Sequence, residues 1–279
     1  DNAGNFIVVW YSGNGPCLIE PCPCPDFFPD GDGLAVLGRI FDANGNPQGN
    51  DFILNTSTTS DQVQPAIAMK PDGSTFVVTW TGYTDPSTSL FDIYGQLFTG
   101  SGSKIGAEFV VNSTTDGMQD LSDVDMDASG NFVAVWESPD GDFAGVRARR
   151  FDSNGNPLDV DFQVNDFISG NQNSASVAVS KNNGSFIIVW YSKSQDPDGS
   201  SGSYAERYSA SGTILKSEFT IANDYAWAQF DPDITISSQI IPIVFGDTRV
   251  GSGSTMDIFM REFSINCDPF ENEYMVNNS

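Results

Sequence analysis

The feature that most constrains this chain is a fivefold internal repeat with a spacing of about 55 residues. Each repeat holds an aromatic residue, a second aromatic eleven positions later, and an acidic residue just before that second aromatic. The pairs are Phe41 and Phe52, Phe98 and Phe109, Phe151 and Phe162, Tyr208 and Phe219, and Phe263 and Tyr274. A residue type that recurs in all five units is expected to serve packing. Function is therefore to be sought where the repeats differ.

Each repeat divides into four short segments, which we call A to D. In the second repeat they cover residues 64–69, 76–80, 92–98 and 108–112. They are rich in β-branched and aromatic residues, and turns such as Asp72-Gly73 and Ser101-Gly102 separate A from B and C from D. Runs of this kind joined by glycine turns are typical of antiparallel hairpins. Every repeat is therefore predicted to form a four-stranded antiparallel meander.

Segment B is apolar at nearly every position, so its strand needs cover on both faces. Sheets stacked radially provide that cover, whereas a single sandwich leaves its outer faces polar. The sequence thus predicts an all-β fold, a five-bladed β-propeller forming one domain over residues 1–279. The predicted blades are 1–56, 62–113, 119–166, 172–223 and 229–279. The tryptophans that end four B segments, Trp10, Trp80, Trp136 and Trp190, are expected to pack between blades.

The first blade is expected to lack its innermost strand in this sequence, because the sequence opens at the A–B turn formed by Asp1 to Gly4. The last blade ends with a complete D segment. An upstream strand, or a strand from another copy or a neighbouring domain, is expected to complete the first blade. Strand addition to an open sheet edge is a recurrent assembly mode.

The chain resembles the tandem repeats of large secreted bacterial surface proteins, which are related to integrin-type and VCBS-type β-propeller blades. The matching residues include the B segments, the Asn-Gly turns and the glutamines Gln62, Gln119, Gln172 and Gln229. This resemblance covers nearly the whole chain. It implies secretion and a role at a surface or in adhesion, and it implies no catalysis.

Charge and histidine content exclude several classes of function. The chain has 37 acidic and 12 basic residues, a net charge of −25 and no histidine. Such a surface is repelled by nucleic acid and by anionic membranes. Without histidine there can be no Ser-His-Asp or Cys-His site. No apolar run is long enough for membrane insertion, and the composition favours an extracellular or cell-surface protein.

The four cysteines are disulfide candidates. Cys17, Cys22 and Cys24 lie in a long B–C insertion of the first blade, and Cys267 replaces a turn glycine of the last. An even count outside any zinc spacing favours one or two disulfides in an oxidising compartment. Their connectivity stays open, and one alternative joins Cys267 to the odd cysteine of the insertion.

Two further kinds of site are suggested by the loops. Asp30 and Asp32 in the same insertion are calcium candidates, although solvated turn residues would look alike. No other cofactor is expected. Three sequons place glycosylation candidates at Asn55, Asn112 and Asn183.

Three functions are compatible with these features. The favoured one is a non-catalytic extracellular structural or adhesion module, either a repeating subunit of a surface filament or a segment of a larger secreted protein. The alternatives are a carbohydrate-binding propeller with glycans as partners and, less favoured, a glycoside hydrolase. A hydrolase would need a pair of carboxylates near the axis. The A segments of blades 3 and 5 offer Asp123, Asp125, Asp231 and Asp233, with Glu137 nearby.

Overall fold

The computed structural model describes residues 1–13, 29–85, 90–223, 228–249 and 256–277. Across these ranges the secondary structure is entirely strands and turns, arranged in five antiparallel sheets. The all-β prediction is confirmed. The chain divides into two compact units, Asp1–Ser122 and Asp123–Ser279, which are described separately.

Unit 1 holds the first two sheets. The first has the order β1 (Phe6–Ser12), β2 (Ala35–Phe41) and β3 (Phe52–Ile53). The second has the order β4 (Gln62–Met69), β5 (Thr75–Asp85), β6 (Leu90–Thr99) and β7 (Lys104–Val110).

Unit 2 holds the other three sheets, each of four strands. The third sheet comprises β8 (Asp120–Met126), which runs across the division, β9 (Phe132–Pro139), β10 (Ala144–Phe151) and β11 (Phe162–Gln163). The fourth comprises β12 (Gln172–Val179), β13 (Phe186–Ser192), β14 (Gly202–Tyr208) and β15 (Ile214–Thr220). The fifth comprises β16 (Gln229–Ile234), β17 (Ile240–Asp247), β18 (Asp257–Ser264) and β19 (Tyr274–Met275).

The predicted meander is confirmed, because spatial order follows chain order in every sheet. The first sheet has three strands among the described residues, as its missing A segment predicts. The B–C register explains the aromatic repeat. In the fourth sheet Phe186 lies opposite Tyr208, and their rings stack with centroids 4.9 Å apart. Stacked cross-strand aromatics of this kind stabilise a sheet beyond the area they bury.

The B strands β9 and β13 are buried on both faces, as their continuous apolar sequence requires, whereas β1 is only partly buried. In β13, Phe186, Ile188 and Trp190 belong to one buried cluster, whereas Ile187 and Val189 belong to another. The first cluster includes residues of the third sheet and the second includes residues of the fifth. Trp80, Trp136 and Trp190 are fully buried, and Trp80 and Trp190 each pack in a cluster that includes residues of a neighbouring sheet.

The C–D turns explain the recurring glycine. Gly45, Gly102, Gly155 and Gly212 all have φ between 79° and 86°, a region that favours glycine. Cys267 adopts the same turn with φ 62° despite its side chain. The last blade therefore keeps the turn and accepts the strain of a non-glycine residue.

In the second and fourth repeats the acidic residue before the second aromatic joins neighbouring sheets, whereas Asp161 of the third pairs with Arg147 of its own sheet. Glu108 accepts a hydrogen bond from the backbone nitrogen of Thr56 at 2.5 Å, and Glu218 accepts one from that of Asp166 at 3.1 Å. Both donors lie just after the last strand of the preceding sheet. A solvated edge charge would make no such contact, so these carboxylates link one repeat to the next.

Candidate functional site

The A strands contain a feature that sequence reasoning missed. In β4, β12 and β16 the register with the B strand shifts, which marks a β-bulge. The residue two positions after the recurring glutamine is left-handed in all four A strands: Gln64 (φ 53°), Leu121 (φ 52°), Ser174 (φ 51°) and Asp231 (φ 45°). Each such conformation costs roughly 1–3 kcal/mol in a residue other than glycine. Bulges re-aim side chains, and they concentrate near functional sites.

In unit 2 the bulged strand β12 brings two aspartates of other strands to one hydroxyl group. Ser176 Oγ lies 3.0 Å from Asp123 Oδ2 on β8 and 2.9 Å from Asp233 Oδ1 on β16. The two carboxylate oxygens are therefore at most about 6 Å apart. Asp123 is half-buried, whereas Asp233 is exposed.

The environment of Asp123 favours its neutral form. Burial raises the pKa of this carboxyl group to about 6, and the nearby charge of Asp233 also raises it. Hydrogen bonds from Ser176 and the backbone nitrogens of Val177 and Val124 act in the opposite direction. Desolvation outweighs them, because it penalises the charged carboxylate directly.

Ser176 has one proton and two carboxylate neighbours. The Ser176 hydroxyl can therefore donate to only one carboxylate. To bond to the second as well, its oxygen must accept a hydrogen bond from that carboxyl group in its protonated form. With the proton on Asp123, Ser176 is free to donate to Asp233. The three side chains then form a hydrogen-bonded chain with a neutral acid at one end and a carboxylate at the other. That combination suits acid catalysis beside a developing positive charge.

A second set of contacts on β12 lies beside the hydrogen-bonded side chains of Asp123, Ser176 and Asp233. The Ser174 backbone nitrogen donates to Glu137 Oε1 at 2.9 Å, and Ser174 Oγ donates to Asp231 Oδ1 at 2.8 Å. Glu137 is buried and Asp231 is exposed. At the bulge, the backbone nitrogen and the hydroxyl group of Ser174 thus bond to two carboxylates that lie on different strands.

Asp125 has a structural role. Its Oδ1 accepts a hydrogen bond from Lys181 Nζ at 2.5 Å, and its Oδ2 accepts one from the Val179 backbone nitrogen at 2.7 Å. These contacts join β8 to β12 and to Lys181, which lies just beyond the end of β12. All five carboxylates proposed for a hydrolase are therefore brought to β12, although Asp125 is held in a salt bridge.

The calcium candidates Asp30 and Asp32 belong to the part of the insertion that the structure describes. Asp30 Oδ2 accepts a hydrogen bond from Asn55 Nδ2 at 2.6 Å, and Asp32 Oδ2 accepts one from the Ser60 backbone nitrogen at 3.0 Å. Within the described ranges no cluster of three or more acidic or cysteine side chains is placed to hold a metal ion. Calcium at Asp30 and Asp32 stays a prediction.

The disulfide and glycosylation candidates also stay predictions. Cys17, Cys22 and Cys24 lie outside the described residues, while Cys267 is buried. Asn55 and Asn112 are buried too. Each donates its side-chain amide to an aspartate and accepts from a backbone nitrogen. The side chain of Asn183, in the third sequon, is exposed.

No protein-family model matches the chain, and no curated protein does. Solved structures do. A protein of unknown function from Dyadobacter fermentans aligns with a TM-score of 0.62 at 11% identity, covering 98% of this chain and 80% of that one. A Hadza microbial sialidase aligns with a TM-score of 0.52 at 11% identity, covering 88% and 53%. An α-L-arabinofuranosidase from Lactobacillus brevis aligns with a TM-score of 0.50 at 9% identity, covering 88% and 89%.

These similarities show the fold alone, a β-propeller-like arrangement of antiparallel sheets. They nevertheless correct the favoured function. The prediction of a non-catalytic structural or adhesion module is wrong, because the solved structures that share the fold are mostly carbohydrate-active enzymes. In the described ranges no helix is both long and apolar enough to cross a bilayer.

Proposed function

We propose that the protein is a secreted, five-bladed β-propeller that cleaves glycosidic bonds with Asp123 and Asp233. The observation that carries the proposal is the bridge formed by Ser176 Oγ between these two carboxyl groups. It holds two carboxyl groups close together on the A strands, and burial raises the pKa of one of them, Asp123. The fold shared with glycan-active enzymes supports the same function.

In the proposed reaction, Asp123 donates its proton to the glycosidic oxygen while the bond to the anomeric carbon breaks. Asp233 faces the developing positive charge and bonds to the anomeric carbon. Water then attacks that carbon, releases the sugar from Asp233 and returns a proton to Asp123. Carboxyl groups about 5–5.5 Å apart accompany retention of configuration, whereas inversion needs roughly 6.5–9.5 Å. The limit of about 6 Å between the facing oxygens therefore favours retention.

Substrates to test first come from the similar structures. Their names give an α-L-arabinofuranosidase and a sialidase. Both act on sugars, so we propose arabinofuranosides and sialosides as the first substrate classes. A net charge of −25 disfavours strongly anionic polymers, which ranks neutral arabinofuranosides above sialosides.

The proposal is tested by incubating the protein with chromogenic arabinofuranosides, sialosides and a panel of neutral polysaccharides, and measuring released sugar. Asp123→Asn and Asp233→Asn keep side-chain size and remove the charge or the acid. Each is expected to reduce kcat/KM by about 10²–10⁴-fold. Asp125→Asn is the matched control on the same strand. It should lower the melting temperature through loss of the Lys181 contact and leave kcat nearly unchanged.

Equal activity in wild type and Asp123→Asn would disprove the assigned roles. Absence of turnover across the whole panel would argue against hydrolysis. Nuclear magnetic resonance of the first product then reports whether the anomeric configuration is retained.

Glycan binding without cleavage is a second function, and one observation favours it. Both β8 aspartates accept hydrogen bonds from β12 backbone nitrogens, Asp123 from Val177 and Asp125 from Val179. Such contacts give each carboxylate a structural role independent of chemistry. Calorimetric titration with oligosaccharides that stay intact, and binding that survives in Asp123→Asn, would support this function over hydrolysis.

A further inference from the structure

Two serine–aspartate pairs join β12 to β16, and the proposed reaction uses only one of them. Ser176 Oγ lies 2.9 Å from Asp233 Oδ1, and Ser174 Oγ lies 2.8 Å from Asp231 Oδ1. Asp231 is two residues before Asp233 on the same strand, so their Cα atoms are at most about 7 Å apart. A sugar held at Asp233 therefore has hydroxyl groups within reach of Asp231.

Asp231 marks a difference between the repeats at the bulge of the A strand. The left-handed conformation itself recurs, because Gln64 of β4 has φ 53° and Asp231 of β16 has φ 45°. The residue type does not recur, and of the left-handed residues in the four A strands Asp231 alone is charged. A bulge re-aims the side chain that it carries. The fifth sheet thus combines a recurring backbone feature with a carboxylate beside the reacting pair.

Contacts from neighbouring strands hold Asp231 in place. Ser174, which donates to Asp231, is bonded through its own backbone nitrogen to the buried Glu137 at 2.9 Å. The ring of Phe230, the residue before Asp231, stacks on Tyr191 with ring centroids 5.5 Å apart. A side chain that is fixed before a ligand arrives loses less freedom when the ligand binds. Asp231 is therefore prepared for binding.

The carboxylate of Asp231 keeps capacity for a ligand. The residue is exposed, and among the described residues its hydrogen-bond donor is Ser174. An ionised carboxylate has about four lone-pair sites, all of which accept hydrogen bonds. The hydroxyl groups of a neutral sugar are donors of the required kind. The carboxylate of an acidic sugar would instead meet like charge.

We propose that Asp231 accepts a hydrogen bond from a hydroxyl group of the sugar held at Asp233, and that it selects neutral sugars over anionic ones. This inference rests on the proposed function, because Asp233 is taken as the residue that faces the anomeric carbon. The one carboxylate acts in both directions, since it attracts a hydroxyl group and repels an acidic group. Asp231 itself bonds neither to the anomeric carbon nor to the glycosidic oxygen.

The test is calorimetric titration of the intact protein with two thioglycosides, in which sulfur replaces the glycosidic oxygen so that the bond resists hydrolysis. The probes are methyl 1-thio-α-L-arabinofuranoside and the corresponding methyl thiosialoside. Asp231→Ala should weaken binding of the arabinofuranoside about 10–100-fold, the range for a hydrogen bond to a charged group. Asp231→Asn keeps the size of the side chain and should narrow the preference for the arabinofuranoside over the sialoside about tenfold.

The matched control is Glu262→Gln, on the C strand β18 of the same sheet. It removes a carboxylate outside the candidate site and should bind both probes like wild type. Deoxy analogues of the arabinofuranoside then identify the hydroxyl group. The analogue that lacks it should bind weakly to wild type, and Asp231→Ala should weaken its binding no further.

Three results would overturn the inference. They are no binding of the arabinofuranoside up to millimolar concentration, unchanged affinity in Asp231→Ala, and an unchanged preference between the two probes in Asp231→Asn. Circular dichroism establishes that each variant keeps its sheets.

Failure of the proposed function gives a different result. Binding that depends on Asp231, without turnover of any oxygen-linked glycoside, would contradict hydrolysis and leave the role of Asp231 in place. Turnover that is lost in Asp123→Asn but keeps its KM and its selectivity in Asp231→Ala would contradict the role of Asp231 alone.

Discussion

The first and fourth sheets are built from the same repeat, yet their B strands have different environments. β13 is buried on both faces and paired with β12, which also supplies the serines that contact four carboxylates. β1 has no A strand beside it among the described residues, and four of its seven residues are exposed. The A strand thus has two roles, because it completes the core of its sheet and carries the residues of the candidate site. The B to D strands form the recurring scaffold.

The largest effect on stability is expected from truncating the tryptophans. Trp190→Ala should lower the free energy of unfolding by about 3–5 kcal/mol, because it leaves a large cavity at a fully buried position. Trp10→Ala, at the same repeat position in half-buried β1, should cost less than half as much. Urea unfolding measures both. Equal costs would mean that the two B strands are equally covered in solution.

A second prediction concerns pH and stability. Burial raises the pKa values of Asp123, Glu206 and Glu218. An acid whose pKa is raised in the folded state stabilises the fold fully below its unfolded pKa, near 4, and loses that contribution as the pH rises through the folded pKa. For Asp123 the window is about pH 4 to 6, and the contribution is at most about 3 kcal/mol.

The melting temperature should therefore rise as the pH is lowered from 7.5 to 5. Hydrogen-bonded surface aspartates with lowered pKa values, such as Asp42 and Asp152, reverse the trend only at lower pH. Glu206→Gln keeps an acceptor for the Tyr208 hydroxyl and removes the buried charge. It should flatten the pH dependence, and an unchanged slope would contradict the assignment.

A smaller effect is expected at the bridging serine. Ser176→Ala removes a hydrogen bond to Asp123 and should cost about 0.5–1.5 kcal/mol of stability. Since that bond lowers the pKa of Asp123, its loss should raise this pKa further. The alkaline limb of the activity profile should then move to higher pH. Ser174→Ala, two residues away on the same strand, is the control and should leave that limb in place.

Much of the fold was predictable from the sequence, because continuous apolar B segments and recurring turn glycines report burial and chain reversal directly. The A-strand bulge was not, because its left-handed position holds Gln64, Leu121, Ser174 and Asp231, which share no residue type. The carboxylates could be named from the sequence, but they lie on the third and fifth sheets. Ser176 of the intervening sheet joins them, and nothing in its local sequence signals a contact with residues more than 50 positions away on either side.

The most direct test of the central claim is the pH dependence of kcat/KM on the best hydrolysed glycoside. If Asp123 is the proton donor, kcat/KM should fall tenfold for each pH unit above about 6, because the acid is then increasingly ionised. A profile that stays flat from pH 5 to 8, or one that Asp123→Asn leaves unaltered, would contradict the assignment of Asp123 as the catalytic acid.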